Sequence, residues 1–320
     1  MKTSRAASLR LTLAAVAALT GLTAMTGLSS CSAQSDKPPQ TKAPNEFNAD
    51  TAMSYIRQQV AFGPRIPGSA GWKSTGDWIV SHMRATADTV LEQNWTYTTT
   101  KGAKIPLRNI FARFKPNATD RILYVTHWDT RPEANSETDT DKQKLPIPGA
   151  NDGASGVALL LAIGDALKKL PPNVGVDLLF VDGEDYGTFT PDTDVLLGAT
   201  YFAAHLPSAT YKPMFGVLWD MIGDKDLQIY QEVHSVNAAP EVVQRVWAKA
   251  REFGYDKYFI PEARTPITDD HVPLIAAGIR IIDVIDIDYP DHHLLSDTVD
   301  KVSVESMRIV GNVALALLRL

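Results

Sequence analysis

The 320-residue sequence predicts an α/β fold, with a mixed, mostly parallel, twisted central sheet flanked by helices on both faces. Three observations carry this. From about residue 47 helical and strand-like patterns alternate, as in sheets covered by helices on both sides. Several strand candidates are short, continuous apolar runs, which suit a sheet buried on both faces. Acids and histidines recur just past the ends of those runs, where open α/β sheets bind ligands. The composition agrees: 44 % apolar content and 8 % aromatic residues argue against disorder.

The chain opens differently. Lys2, Arg5 and Arg10 precede a weakly apolar stretch from Leu11 to Leu28, the layout of an export signal. That stretch ends in Leu28-Ser29-Ser30-Cys31, which resembles the lipobox of bacterial lipoproteins, and Cys31 is the only cysteine, so no disulfide can form within the chain. Residues 32–46 are rich in Pro, Gln, Ser and Lys and read as a flexible tether. The resulting division is a signal peptide over 1–31, a tether over 32–46 and one catalytic domain over 47–320. The resemblance implies an exported lipoprotein on the periplasmic side, with Ser32 pointing to outer-membrane anchoring. A membrane is expected as partner only through a lipid on Cys31, since nothing after residue 30 approaches the roughly 18 apolar residues of a span. Losing three basic leader residues lowers the net charge from −6 to −9, which excludes nucleic acid as an expected partner.

Within the domain, Asn48-Ala-Asp50 can cap a first helix carrying Ala52, Tyr55, Ile56 and Val60, and a second runs from Trp72 to Met83 after the turn Phe62–Gly68. Strand candidates are Asn94–Thr99, Arg108–Phe114, Ile122–His127, Val176–Asp182, Phe215–Asp220, Leu227–Tyr230 and Arg280–Ile287. Between and after them lie helix candidates Gly153–Lys169, Asp194–His205, Ala239–Phe253, His271–Ala277 and Val302–Leu318.

The chemistry follows the strand ends. His127 and Asp129 close one run; Asp152 lies in the glycine-rich loop Pro148–Gly156 before a helix; Asp182, Glu184 and Asp185 follow another strand. Asp220, then Asp269, Asp270 and His271, then His292 and His293 complete six loops able to meet at one pocket. Taken singly each residue has an ordinary role, Asp152 as a helix cap and Asp220 as a turn acid, but six such placements in order point to a divalent metal held by oxygen and imidazole. With no thiolate in the domain, zinc is favoured. The neighbours Glu184 and Asp185 can divide the work, one binding metal and the other moving protons.

The segments HWDT (127–130), GANDGASG (149–156), FVDGED (180–185), LWDMIG (218–223), DDHVPL (269–274) and HLLSDT (293–298) resemble, in order and spacing, the zinc aminopeptidase superfamily. Within it the chain resembles the animal-type glutaminyl-peptide cyclotransferases and their bacterial relatives. That resemblance implies Asp152, Asp185 and His293 as zinc ligands, Glu184 as general acid/base, and Asp220 and Asp269 as acids beside the substrate. It implies peptides or proteins with N-terminal Gln as partners, cyclised to pyroglutamate with release of ammonia, and a monomer. The loop Tyr186–Gly198 and the extra acid Asp269 resemble the cyclases more than the peptidases. Asp185 in place of Glu, Phe189 and His292 in place of Trp, and Asp283 in place of His depart from the animal pattern. Phe189, Trp219, Tyr289 and His292 are candidate pocket walls. His127 and Asp129 are candidates for a second metal or for supporting the ligands. One zinc per chain accompanies the cyclase reading and two the alternative, a zinc aminopeptidase; a non-catalytic binding module is a third.

Overall fold

The first helix of the domain, α1 (Ala49–Ala61), starts where Asn48 Oδ1 accepts the Thr51 N–H at 3.1 Å, and α2 (Ala70–Thr86) starts where Ser69 Oγ accepts that of Trp72. The computed structural model describes residues 47–319, so the leader, Cys31 and the tether to residue 46 lie outside the described residues. After α2 come β1 (Thr89–Thr98), β2 (Lys104–Phe114), β3 (Arg121–His127), α3 (Ala154–Lys169) and β4 (Gly175–Val181). A small hairpin, β5 (Thr188–Phe189) with β6 (Asp192–Thr193), leads to α4 (Leu197–Ala204) and β7 (Phe215–Asp220). The chain ends with β8 (Ile229–Glu232), α5 (Val233–Ala238), α6 (Pro240–Glu252), β9 (Phe259–Arg264), α7 (His271–Ala276), β10 (Ile281–Ile285) and α8 (Val304–Leu317).

Six strands form the main sheet in the order β1-β2-β4-β3-β7-β10. β1/β2 and β2/β4 are antiparallel, whereas β4/β3, β3/β7 and β7/β10 are parallel, so the expected mixed and mostly parallel sheet is found. Every residue of β3, β4 and β7 is buried. Successive side chains alternate between two cores, as the pleat requires. Ile122, Tyr124, Leu178, Phe180, Val217 and Trp219 face α1, α2, α3, α6 and α8, while Leu123, Val125, Leu179, Val181 and Leu218 face α4 and α7. Fully burying a side chain of this size contributes roughly 1.5–3 kcal/mol, which is why one-residue register slips, exchanging the two faces, are strongly disfavoured.

β3 is the switch point. Its chain passes through α3 to β4 on one side, and β7 lies on the other, so the carboxyl ends of β3, β4 and β7 open onto one crevice.

Several boundaries differ from the sequence reading. The strand at 94–99 begins earlier, at Thr89. The helix expected from Asp194 begins at Leu197, because Asp194 and Leu196 hold left-handed conformations (φ +57° and +53°) that break the helical path. The strand expected over 227–230 lies at 229–232 and pairs not with the main sheet but with β9, whose exposed run Pro261–Arg264 carries no apolar alternation. Asp152 does not cap α3: Gly153 occupies that position (φ +82°), with no side-chain cap. Among the described residues no helix is long and apolar enough to cross a membrane.

Candidate metal centre

His127 ends β3 and the loop after it carries Asp129, both buried. Asp129 accepts the backbone N–H groups of Glu184 and Asp185, each at 3.1 Å, and thereby ties the loop after β4 to the loop after β3. Asp129 is therefore a support for the acidic pair. The loop carrying Asp152 is held from two sides. Asp297 accepts the N–H of Asn151 at 2.8 Å and of Asp152 at 3.1 Å. The fully buried Arg65 donates to the carbonyls of Pro148 (2.6 Å), Gly149 (2.7 Å) and Asp152 (3.2 Å). Gly149 must be glycine there: its φ is +66°, and a Cβ would lie 2.8 Å from Arg65 Nη2 and 2.3 Å from Thr130 Cγ2.

These supports bring Asp152, Asp185 and His293 together. His293 Nε2 lies 3.5 Å from Asp152 Oδ2 and 3.3 Å from Asp185 Oδ1. Tetrahedral zinc bonds of about 2.0–2.2 Å separate ligand atoms by roughly 3.3–3.6 Å. The Oδ2 atoms of Asp152 and Asp185 are buried without a hydrogen-bond partner. Unpaired buried carboxylate oxygens are costly, so the three residues suit a zinc ion in donor type, and the two separations from His293 match such a site. Arg131 donates to Asp185 Oδ1, and its Nε to Asn135 Oδ1 at 2.8 Å, which fixes the shorter aspartate. His292 also brings a ring nitrogen within 4.8 Å of Asp152 and His293.

A second group shares Asp152. His127 Nε2 lies 3.2 Å from Asp152 Oδ1 and 3.0 Å from Asp220 Oδ1, and ligand atoms of these three residues all fall within 4.8 Å of one another. Burial pulls the His127 pKa down, but Asp220, Asp129 and Asp152 outweigh it and hold the ring well above its ordinary range.

Glu184 stands beside this set, its Oε2 3.7 Å from His127 Nδ1. Burial pushes its carboxyl well above the usual range; His127 opposes the shift, and Asp185, Asp269 and Asp270 add to it. Burial, and then Asp220, pushes the Asp269 carboxyl up to about 7. Glu184, Asp220 and Asp269 line a pocket of about 320 Å³ together with Phe189, His292 and His293, and its far wall is apolar, formed by Ile267, Ile285 and Ile287.

Two expected walls do not line it. Trp219 is fully buried on the opposite face of β7 and packs edge-on against Tyr124 (centroids 5.3 Å apart), because alternation along the strand sends it the other way from Asp220. Tyr289 is buried, and its hydroxyl donates to Asp297 Oδ1 at 2.8 Å, so it braces the carboxylate that holds the Asp152 loop. Asp182, the first acid of the triple, turns away to accept from Trp72 Nε1 and the Arg108 N–H, both at 2.8 Å. Sequence reasoning missed Arg65, Arg131 and the isoleucine wall. Asp297 lies in the HLLSDT segment without a role in the sequence reading, and an acid four residues after the candidate ligand histidine was the available signal.

Comparison with known proteins follows this geometry. The chain is similar over 86 % of its length to a Zn-dependent exopeptidase from Parabacteroides distasonis (36 % identity, 99 % of that chain, TM-score 0.83). It is similar over 85 % to a glutaminyl cyclase from Bacteroides thetaiotaomicron bound to N-acetylhistamine (34 % identity, 98 % of that chain, TM-score 0.82). The Drosophila melanogaster glutaminyl-peptide cyclotransferase shares 25 % identity over 79 % of this chain and 75 % of its own. A probable zinc metalloprotease of Pyrenophora teres f. teres shares 29 % identity over 52 % of this chain, and the match spans only 35 % of the fungal protein. The profile of peptidase family M28 matches residues 109–318, which include all the metal-facing residues described above, and the chain belongs to peptidase family M28.

Proposed function

We propose that this protein is a zinc-dependent glutaminyl-peptide cyclotransferase that converts N-terminal glutaminyl residues of peptides or proteins to pyroglutamate and releases ammonia. The observation that carries the reading is the convergence of three buried acids, Glu184, Asp220 and Asp269, on a small pocket with an isoleucine wall beside Asp152, Asp185 and His293. Likeness to bacterial glutaminyl cyclases over nearly their whole length supports it.

Asp152, Asp185 and His293 would hold zinc, which when bound supplies Lewis-acid polarisation of a carbonyl. The chain's own residues do the rest. The pocket holds the glutaminyl side chain folded back on its own α-amine, so the nucleophile is delivered already tethered. The amine nitrogen attacks the γ-carbonyl carbon, and the bond from that carbon to the amide nitrogen breaks. Glu184, raised toward neutrality by burial, takes the proton from the amine and passes it to the departing ammonia. Asp269 and Asp220 face the same pocket and share hydrogen bonds with the reacting groups. Phe189 and the isoleucines exclude water, which would otherwise compete as nucleophile. The same proposal places the enzyme as a monomer outside the inner membrane, anchored through Cys31, with exported peptides as substrates and no nucleic-acid partner.

A zinc aminopeptidase is the second reading, and the intact group His127, Asp152 and Asp220 favours it by offering a second cation position. One experiment separates the two: mass spectrometry of a Gln-initiated and an Ala- or Leu-initiated peptide, with zinc and with chelator. Zinc-dependent loss of the mass of ammonia from the Gln peptide alone is expected; release of the first residue from the other peptide moves the protein to the peptidase reading. Glu184→Gln should retain zinc and lose about 10²–10⁴-fold in rate, and a near wild-type rate removes Glu184 from the mechanism.

A further inference from the structure

Next to the pocket lies a second cluster, of which the reaction above uses only Asp269. Glu232, at the end of β8, accepts four backbone or hydroxyl donors: the N–H of His234 (2.6 Å), Ser235 (2.6 Å) and Ile267 (3.0 Å), and the Ser235 hydroxyl (2.8 Å). Burial alone would raise its pKa, but hydrogen bonds from His271 and these backbone groups bring it to about 2, so it is a carboxylate. His271 Nε2 lies 3.1 Å from Glu232 Oε2 and so carries the proton of that hydrogen bond. The other ring nitrogen, Nδ1, is the atom that can serve as a ligand. Nδ1 is buried without a partner, and the nearest carboxylate oxygen, Asp283 Oδ2, is 3.9 Å away, beyond hydrogen-bond reach. Both oxygens of Asp283 and the Oδ2 of Asp269 are likewise buried with no N–H or O–H donor from another residue type, and the two carboxyls stand within hydrogen-bond reach of each other.

Among the described residues no lysine or arginine stands against these acids: Asp269, Asp270 and Asp283 are each at most 3 % exposed, and none has such an ion-pair partner. A histidine whose far nitrogen donates to a carboxylate is held as metal-ligating histidines commonly are, with its ring orientation fixed from behind. Ligand atoms of Asp269, His271 and Asp283 all lie within 4.8 Å of one another.

We propose that Asp269, His271 and Asp283 form an accessory binding site for a divalent transition-metal ion, separate from Asp152, Asp185 and His293. Two oxygens and one imidazole suit zinc or its neighbours. Asp269 also lines the pocket, which gives the ion a route in. Bound there, it neutralises the acidic cluster and cross-links α7 to β10 and, through Glu232, to β8. The inference does not depend on which bond the pocket acts on.

The test is metal counting on the full chain. Chelator-treated protein is reloaded with zinc, freed of excess by gel filtration and analysed by elemental mass spectrometry as wild type, Asp283→Asn and Asp185→Asn. Asp283→Asn should hold one equivalent fewer than wild type, and the Asp185→Asn, Asp283→Asn double variant should lose more than either single variant. Equal zinc in wild type and Asp283→Asn overturns the proposal and assigns the charge compensation to a proton shared between Asp269 and Asp283. Should Asp283→Asn fail to fold, anomalous scattering at the zinc edge from crystals of the zinc-loaded wild type decides. A peak about 2.0–2.2 Å from His271 Nδ1 and the two carboxylates is expected, and its absence overturns the site. Pyroglutamate formation is measured separately, so failure of the cyclase reading leaves this count unaffected and the reverse also holds.

Discussion

Arg65→Met tests how the metal-ligand loop is held. Arg65 is fully buried and donates to the carbonyls of Pro148, Gly149 and Asp152 within 3.2 Å, with a longer contact to Trp128 O. A methionine keeps most of the stem and removes every donor. Leaving three buried carbonyls unpaired costs roughly 1–3 kcal/mol each. Against this stands the relief of no longer burying a guanidinium. Burial lowers the Arg65 pKa to about 10 from 12.5, despite the opposing pull of Asp297, Asp152 and Asp129, and that shift corresponds to about 3 kcal/mol. At about 2 kcal/mol per carbonyl the penalty exceeds that relief by about 3 kcal/mol, or a Tm roughly 6–12 °C lower for a domain of this size. Because the loop carries Asp152, zinc affinity should also fall about 10–100-fold. The assay is guanidinium unfolding of chelator-treated wild type and variant, so that zinc binding does not mask the difference, followed by zinc competition with a chromophoric chelator. A stability loss below about 1 kcal/mol with unchanged zinc affinity would refute the view that Arg65 is what holds this loop.

Two further perturbations probe the fold around the site. At Gly156, in the first turn of α3, an added Cβ would lie 2.1 Å from Thr126 Oγ1 and 2.4 Å from the Trp219 carbonyl. Gly156→Ala should therefore push α3 off β3 and β7 at a cost of about 3 kcal/mol or more, read as a lower Tm and reduced zinc retention; a wild-type Tm would show that the close approach is dispensable. Asp286 is buried and accepts the Gln228 N–H at 2.9 Å, and burial is the main cause that pushes its carboxyl up to about 7. The unfolded chain releases that proton near pH 4, so the stability this group contributes falls as pH rises from about 4 to 7 and is flat above. Asp286→Asn should then match wild type near pH 4 and exceed it by about 2–4 kcal/mol at pH 8; denaturant midpoints across that range check it, and a pH-independent difference would contradict the assignment.

The order of elements and the placement of the acids were legible because they depend on short-range rules. Apolar runs such as Ile122–His127 and Val176–Asp182 announce buried strands, and residues just past such runs must emerge at one edge of a parallel sheet. On that basis Asp152, Glu184, Asp185, Asp220 and His293 could be expected near one another without coordinates. The direction each side chain takes was harder. Trp219 and Asp220 are adjacent in sequence, yet one enters the core and the other the pocket, and the strand's register against its neighbours decides which. Tyr289 reads as an aromatic wall until its hydroxyl is found on Asp297.

What the chain alone determined, then, was the fold class, the set of acids and histidines proposed to hold metal and the family to which the motifs point. Tertiary structure decided what holds that set in place: Arg65 beneath the Asp152 loop, Asp297 on its backbone, Asp129 beneath Glu184 and Asp185, and Glu232 behind His271. The physical reason is separation. Those supports act across 39 to 145 residues of sequence, mostly through hydrogen bonds to backbone groups, which any residue type presents. Such a bond imposes no pattern on neighbouring positions, so only the folded arrangement brings donor and acceptor into view.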